Sequence, residues 1–177
     1  CEDARASRSA ASPASAHRSG GFSRPQPIVA RRVSRLVPLY ELFMSLPVKC
    51  KEDEVALAVN GEALCSGIQA KVDEFVTVEV TYSTDGKVKF YALQAGKYME
   101  SAELQHKEKR VPSESGPLFI GYSPYGGQEW FTGQIDLLGI FGRALTPEEA
   151  KLVLAAAEAG QDVRKAIAVS DKAVAVW

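Results

Sequence analysis

From residue 39 onward apolar and polar residues alternate with a period of two, the repeat of a chain that presents successive side chains to opposite faces of a sheet. The stretches "LYELFMSLPVK" and "EVALAVN" read as strands, and Asn60-Gly61 after them predicts a tight hairpin. The pattern is clearest in "FVTVEVTYSTDGKVKFYALQAGKYMESAEL". There Val76, Val78, Val80 and Tyr82 alternate with Thr77, Glu79, Thr81 and Ser83, Asp85-Gly86 makes the turn, and Val88 and Phe90 return. Ala95-Gly96-Lys97 turns the chain once more. These signals predict an antiparallel meander with one buried face and one wet face. A charged loop, "QHKEKRVPSESGP", precedes the next strand, "LFIGY".

Two segments break the rhythm. In "IVARRVSRLV", Val29, Val33, Leu36 and Val37 fall at helical spacing and Arg31, Arg32 and Arg35 lie away from them, which predicts a short basic amphipathic helix stopped by Pro38. In "FTGQIDLLGIFGRALTPEEA", strict alternation groups Ile135, Leu137 and Gly139 on one face and Asp136, Leu138 and Ile140 on the other. Both faces become apolar toward the end of this run, as in an inner strand of two packed sheets. Thr146, Pro147 and Glu149 then make a T-x-x-E capping box, and Gly160 is the stop of a helix that runs to Ala159.

Composition adds a division along the chain. Of 177 residues, 46% are apolar, enough for one core and little more. Residues 1 to 35 hold seven arginines against two acids, a net of +5, which leaves −6 for the rest of a chain whose total is −1. The first 27 residues are rich in Ser, Ala, Arg, Gly and Pro and offer little apolar surface of their own to bury. We therefore divide the chain into an extended basic arm (1–35), a folded body (36–160) and a C-terminal tail (161–177). The arm is expected to dock on an acidic external surface through Arg18, Phe22, Arg24, Arg31, Arg32 and Arg35, with the tail "KAVAVW" as a second attachment point. A start at Cys1 points to a cleaved form or a fragment, and no apolar run reaches membrane-spanning length.

Candidate chemistry is sparse. The cysteines at 1, 50 and 65 match neither a redox motif nor a zinc set, and Cys50 and Cys65 read as two small buried thiols in preference to a disulfide. His17 and His106 lie in the arm and in a charged loop, away from any candidate nucleophile. The sequence "GYSPYGGQEWF" gathers Tyr122, Tyr125, Gln128 and Trp130 around a glycine turn, and aromatic faces beside amide and hydroxyl groups suit a sugar ring or a protein hot spot.

The run "FTGQIDLLGIFGRALTPEEAKLVL", preceded by "GPLFIGYSPYGGQEWF" and by "VTVEVTYSTDGKVKFYALQAGKYM", resembles the C-terminal part of a laminin G-like, concanavalin A-like jelly roll. The resemblance covers residues 75 to 154, with 36 to 74 as a shortened first half. It implies an all-β sandwich with one C-terminal α-helix. Glycosidases on this jelly roll set two carboxylates on one strand face, about 5 to 5.5 Å apart in retaining enzymes. Asp136 has only Gln134 and Leu138 as same-face neighbours, so it is expected to be a structural acceptor for Arg143 or for backbone donors near the helix start.

These readings converge on a non-catalytic accessory or scaffold subunit, without metal or cofactor, that attaches through its arm to other protein subunits of a larger assembly. The expected setting is a plastid or mitochondrial membrane complex, with the chain peripheral to the membrane. The competing reading is a lectin-like module with a glycan as ligand, in a secreted or lipid-anchored extracytoplasmic protein. Nucleic acid is not an expected partner, because the arm lacks interleaved aromatics.

Overall fold

The computed structural model describes residues 2–7, 25–34, 37–44, 46, 49–71, 74–108, 116–123, 129–166 and 173–176. Two antiparallel sheets face each other. Sheet A holds β1 (Glu2–Ser7), β6 (Val76–Tyr82), β7 (Lys87–Gln94), β8 (Lys97–Glu100), β9 (Leu104–Gln105), β13 (Gln134–Phe141) and β14 (Ala173–Val176), in the order β14-β13-β1-β6-β7-β8 with β9 also on β7. Sheet B holds β2 (Pro27–Ser34), β3 (Val37–Met44), β4 (Glu54–Val59), β5 (Glu62–Gln69) and β10 (Leu118–Ile120), in the order β10-β2-β3-β4-β5. A separate ribbon pairs β11 (Tyr122–Ser123) with β12 (Glu129–Trp130). Two helices, α1 (Pro147–Glu158) and α2 (Val163–Ala166), follow β13. The architecture is the all-β jelly-roll sandwich with a C-terminal helix that the motifs imply.

The predicted turns form for the predicted reasons. Asn60 and Gly61 between β4 and β5 both take positive φ, 49° and 79°, as a two-residue turn of this hand requires. Ala95 and Gly96 repeat the arrangement between β7 and β8. At the start of α1 the Glu149 amide donates to Thr146 Oγ1 (3.2 Å), and the Glu149 carboxylate accepts from the Thr146 amide (2.9 Å). At its end Gly160, with φ of 66°, lets the amides of Gly160 and Gln161 reach back to the carbonyls of Ala157 and Ala156.

The sandwich core lies between the sheets. Leu42, Val55, Leu57, Val59 and Leu64 from sheet B meet Val76, Val78, Val80, Val88, Phe90 and Leu138 from sheet A. The second face of sheet A is not wet. Helix α1 lies over β6 and β7, placing Ala150 and Leu154 against Tyr91 and Leu93. Thr77, Glu79 and Thr81 are consequently buried, where alternation alone had assigned them to solvent.

The arm and the tail are corrected most. Residues 2–7 form the strand between β13 and β6, with Ala4 opposite both Val78 and Leu138. Residues 27–34 are not a helix; they pair with β3 as a hairpin, so a boundary at residue 35 or 36 falls inside that hairpin. The β-branched residues Ile28, Val29 and Val33 favour the extended chain, and Ile28 and Val29 are buried in the core. Pro38 is tolerated in β3 because β4 begins to pair only at Tyr40. The C-terminal segment is not a free tail either, because β14 extends sheet A beside β13.

Two further expectations are overturned. Cys50 and Cys65 form a disulfide, with Cα atoms 5.5 Å apart. In β13, the register with β1 steps from Leu137 to Ile135 and leaves Asp136 as an extra, bulged residue. The bulge shifts the alternation by one. Ile135 and Leu138 therefore both pack on the sandwich core, whereas Leu137 and Phe141 pack on the α1 side.

Candidate functional site

The outer face of sheet B carries side chains that alternate with its core residues. Glu41 and Phe43 of β3, Ala58 of β4 and Ala63 of β5 lie there, with Arg32 from β2. They line a trough of about 220 Å³, walled by Pro25 and Leu46, with Lys49 and Gly61 completing it. The alanines make the floor shallow.

A buried ion pair lies in that floor. The Arg32 guanidinium grips both carboxylate oxygens of Glu41 through Nε and Nη2, with side chains only 11% and 4% exposed. Planar two-point pairing suits arginine, and a pair this dry persists only when its remaining lone pairs are also used. Ser123 does so. Its hydroxyl donates to Glu41 Oε1 at 2.9 Å, tying the β11–β12 ribbon to sheet B. The result is a set of polar groups held in fixed directions and paired with one another beneath the trough.

Tyr122 precedes Ser123 on β11 and points to the opposite face of the ribbon. It pairs across the ribbon with Trp130, the two rings stacked with centroids 4.0 Å apart and planes 24° from parallel. Phe119 meets Tyr122 edge-on at 6.2 Å. Trp130 is 59% exposed and Ile120 45%, so the stack is a surface platform and not core. Sequence reasoning placed both aromatics around one turn; the structure brings Tyr122 and Trp130 into contact. Tyr125 and Gln128 lie outside the described residues.

The arginines singled out for attachment divide similarly. Arg31 donates from Nε to the carbonyl of Gly116 (3.3 Å), and Arg32 holds Glu41. Both are bound within the domain. Arg18, Phe22, Arg24 and Arg35 lie outside the described residues. Arg143 makes two hydrogen bonds to Glu149, at 2.7 and 2.6 Å. Asp136 is exposed at the bulge of β13. Sequence reasoning missed Glu41 and Ser123. The only local signal was a carboxylate inside the apolar run "LYELFM", a position where a buried charge needs a partner.

The family model described as the concanavalin A-like lectin/glucanases superfamily matches residues 48–151. No curated protein matches the chain. Among solved structures, the native heptameric SAP-like pentraxin from Limulus polyphemus is similar, with a TM-score of 0.53 and 18% identity over 86% of this chain and 68% of that one. At that identity the likeness is one of fold.

Proposed function

This chain belongs to the concanavalin A-like lectin/glucanases superfamily, and on that premise we propose that it is a non-catalytic, lectin-like module that binds a carbohydrate. The observation that carries the reading is the exposed Trp130 ring held flat on Tyr122. An indole clamped from behind offers its free face to the C–H face of a sugar at little cost in side-chain entropy.

The disulfide between Cys50 and Cys65 supports an extracytoplasmic setting, since such bonds persist in oxidising compartments. The alternative, an accessory subunit of an organellar complex attached through an N-terminal arm, keeps less support. Residues 2–7 and 27–34 are strands of the sandwich itself, and only the stretch between them remains for attachment. Titrating the protein with a panel of neutral oligosaccharides while following tryptophan fluorescence tests the reading. Saturable quenching that Trp130→Ala abolishes is the expected result. A panel without any binder, together with stoichiometric capture by another protein chain, overturns it in favour of the accessory subunit.

A further inference from the structure

Beside the turn of the β4–β5 hairpin, three parts of the chain converge on a buried imidazole. Glu62 opens β5, Tyr82 closes β6, and His106 and Glu108 follow β9. The His106 side chain is wholly buried. We propose that His106 Nε2 and the carboxylates of Glu62 and Glu108 form a zinc site.

The ring itself points there first. His106 Nδ1 lies 2.6 Å from the Tyr82 hydroxyl, whereas Nε2 has no hydrogen-bond partner among the described residues. Nε2 faces Glu62 Oε2 at 3.7 Å, beyond hydrogen-bond reach. A neutral ring is poorly matched to this setting in either tautomer. With the hydrogen on Nε2, a buried donor is left unpaired; with it on Nδ1, the Nε2 lone pair faces a carboxylate with no donor between them. The second tautomer is the one a metal uses. Nδ1–H then donates to the Tyr82 oxygen and fixes the ring, while Nε2 is free to be a ligand.

The carboxylates supply the rest of the site. Two ligands of a tetrahedral zinc, at bond lengths of about 2.0 to 2.1 Å, stand about 3.4 Å apart. The His106–Glu62 span of 3.7 Å is therefore already close to that of a shared ion. Glu62 Oε2 is steadied by the Lys107 amide at 3.2 Å, and the side chain is 24% exposed, which leaves a path from solvent. Glu108 accepts from Asn60 Nδ2 at the hairpin turn. Burial raises the Tyr82 pKa most, and Glu108 and Glu62 raise it further, which sets both charges around its hydroxyl. Among the described residues neither acid meets a lysine or arginine side chain, so a cation is needed to offset them. Imidazole beside carboxylates suits zinc, whereas calcium and magnesium take oxygen ligands. A bound zinc ties β5 of sheet B to the segment that follows β9 of sheet A. The site shares no residue with the Tyr122–Trp130 platform, so it stands or falls apart from the carbohydrate reading.

The test is a titration of the metal-free full chain, disulfide intact, with zinc chloride in competition with a chromophoric chelator at neutral pH. One equivalent of zinc should bind, with calcium and magnesium inert, and the melting temperature should rise. Nitrogen resonances of the His106 ring should show Nε2 shifted and Nδ1 still protonated. Glu62→Gln and, separately, Glu108→Gln should each weaken binding roughly tenfold or more. The Cys1→Ser, His17→Gln double variant removes the chain's other histidine and its one cysteine outside the disulfide, and should bind zinc undiminished. The proposal is overturned by zinc that leaves the His106 ring resonances in place, by binding lost in the Cys1, His17 variant, or by undiminished binding in either folded glutamine variant. A ring that takes a proton on Nε2 in acid but no zinc at neutral pH overturns it equally, and makes the contact a simple ion pair.

Discussion

Arg143 and Glu149 lie six residues apart across the β13–α1 junction and meet in two parallel hydrogen bonds, of 2.7 and 2.6 Å. Glu149 serves two structures at once, because the same carboxylate accepts the Thr146 amide that opens α1. The bidentate contact from Arg143 and, after it, the Thr146 amide hold the Glu149 carboxyl down to about 2, from a usual value of 4.5. The connection between strand and helix is thus locked by one ionised group.

A pH dependence follows from the sign of that shift. A carboxyl depressed in the folded state contributes stability above its unfolded value, and the contribution is lost as the pH falls through the window from about 4.5 to about 2. Glu149→Gln should therefore be less stable than the parent chain at neutral pH, with the difference closing as acid is added. Urea denaturation midpoints at several pH values measure it; a difference that stays constant down to pH about 2 would remove the ion pair from the account.

The Arg32–Glu41 pair predicts an asymmetry between single and double substitutions. Glu41→Ala leaves the Arg32 guanidinium buried without its counter-charge and deprives Ser123 of an acceptor, at a cost of about 3 kcal/mol or more. Replacing both partners, by Arg32→Met with Glu41→Leu, should recover much of that stability, because no buried charge remains. Chemical denaturation of the two variants distinguishes them, and a double variant as unstable as the single one contradicts the argument.

The disulfide closes a 15-residue separation between Cys50 and Cys65, for which chain entropy gives about 3 kcal/mol. The double variant Cys50→Ser, Cys65→Ser should remain folded, since the β4–β5 hairpin has its own turn and ladder. Its melting temperature should fall by several degrees. An unchanged melting temperature, or three free thiols per chain in the native parent, would show that the bond does not form.

The sharpest prediction concerns β1. Deleting residues 1–7 removes the ladder partner of both β6 and β13 and leaves those strands with no neighbour on that side. The truncated chain should lose cooperative unfolding, in contrast to the intact folding that a dispensable arm would allow. Circular dichroism melts of the truncated and full chains settle the point; superimposable melts would mean that β1 does not complete the sheet.

Much of this fold was legible from short-range pattern. Val76, Val78 and Val80 identified a strand, Asn60-Gly61 and Ala95-Gly96 identified their turns, and Thr146-Pro147-Glu149 identified the start of α1. Of the candidate site, Tyr122 and Trp130 were recognisable as aromatics flanking a turn. That Trp130 lies exposed while Tyr122 supports it was not, because exposure depends on which sheet face the ribbon covers.

The sequence by itself determined every feature that needs only neighbouring residues: periodicity, positive-φ turns and helix caps are set by side chains within a few positions of one another. Tertiary structure decided the rest. Ala4 finds Val78 and Leu138 from far along the chain, Glu41 finds Ser123, and α1 buries Glu79 on a face that alternation had assigned to solvent. The reason is physical. A strand's edge hydrogen bonds and a buried charge must be satisfied by whichever partner the whole fold brings within reach, and no local pattern carries that information.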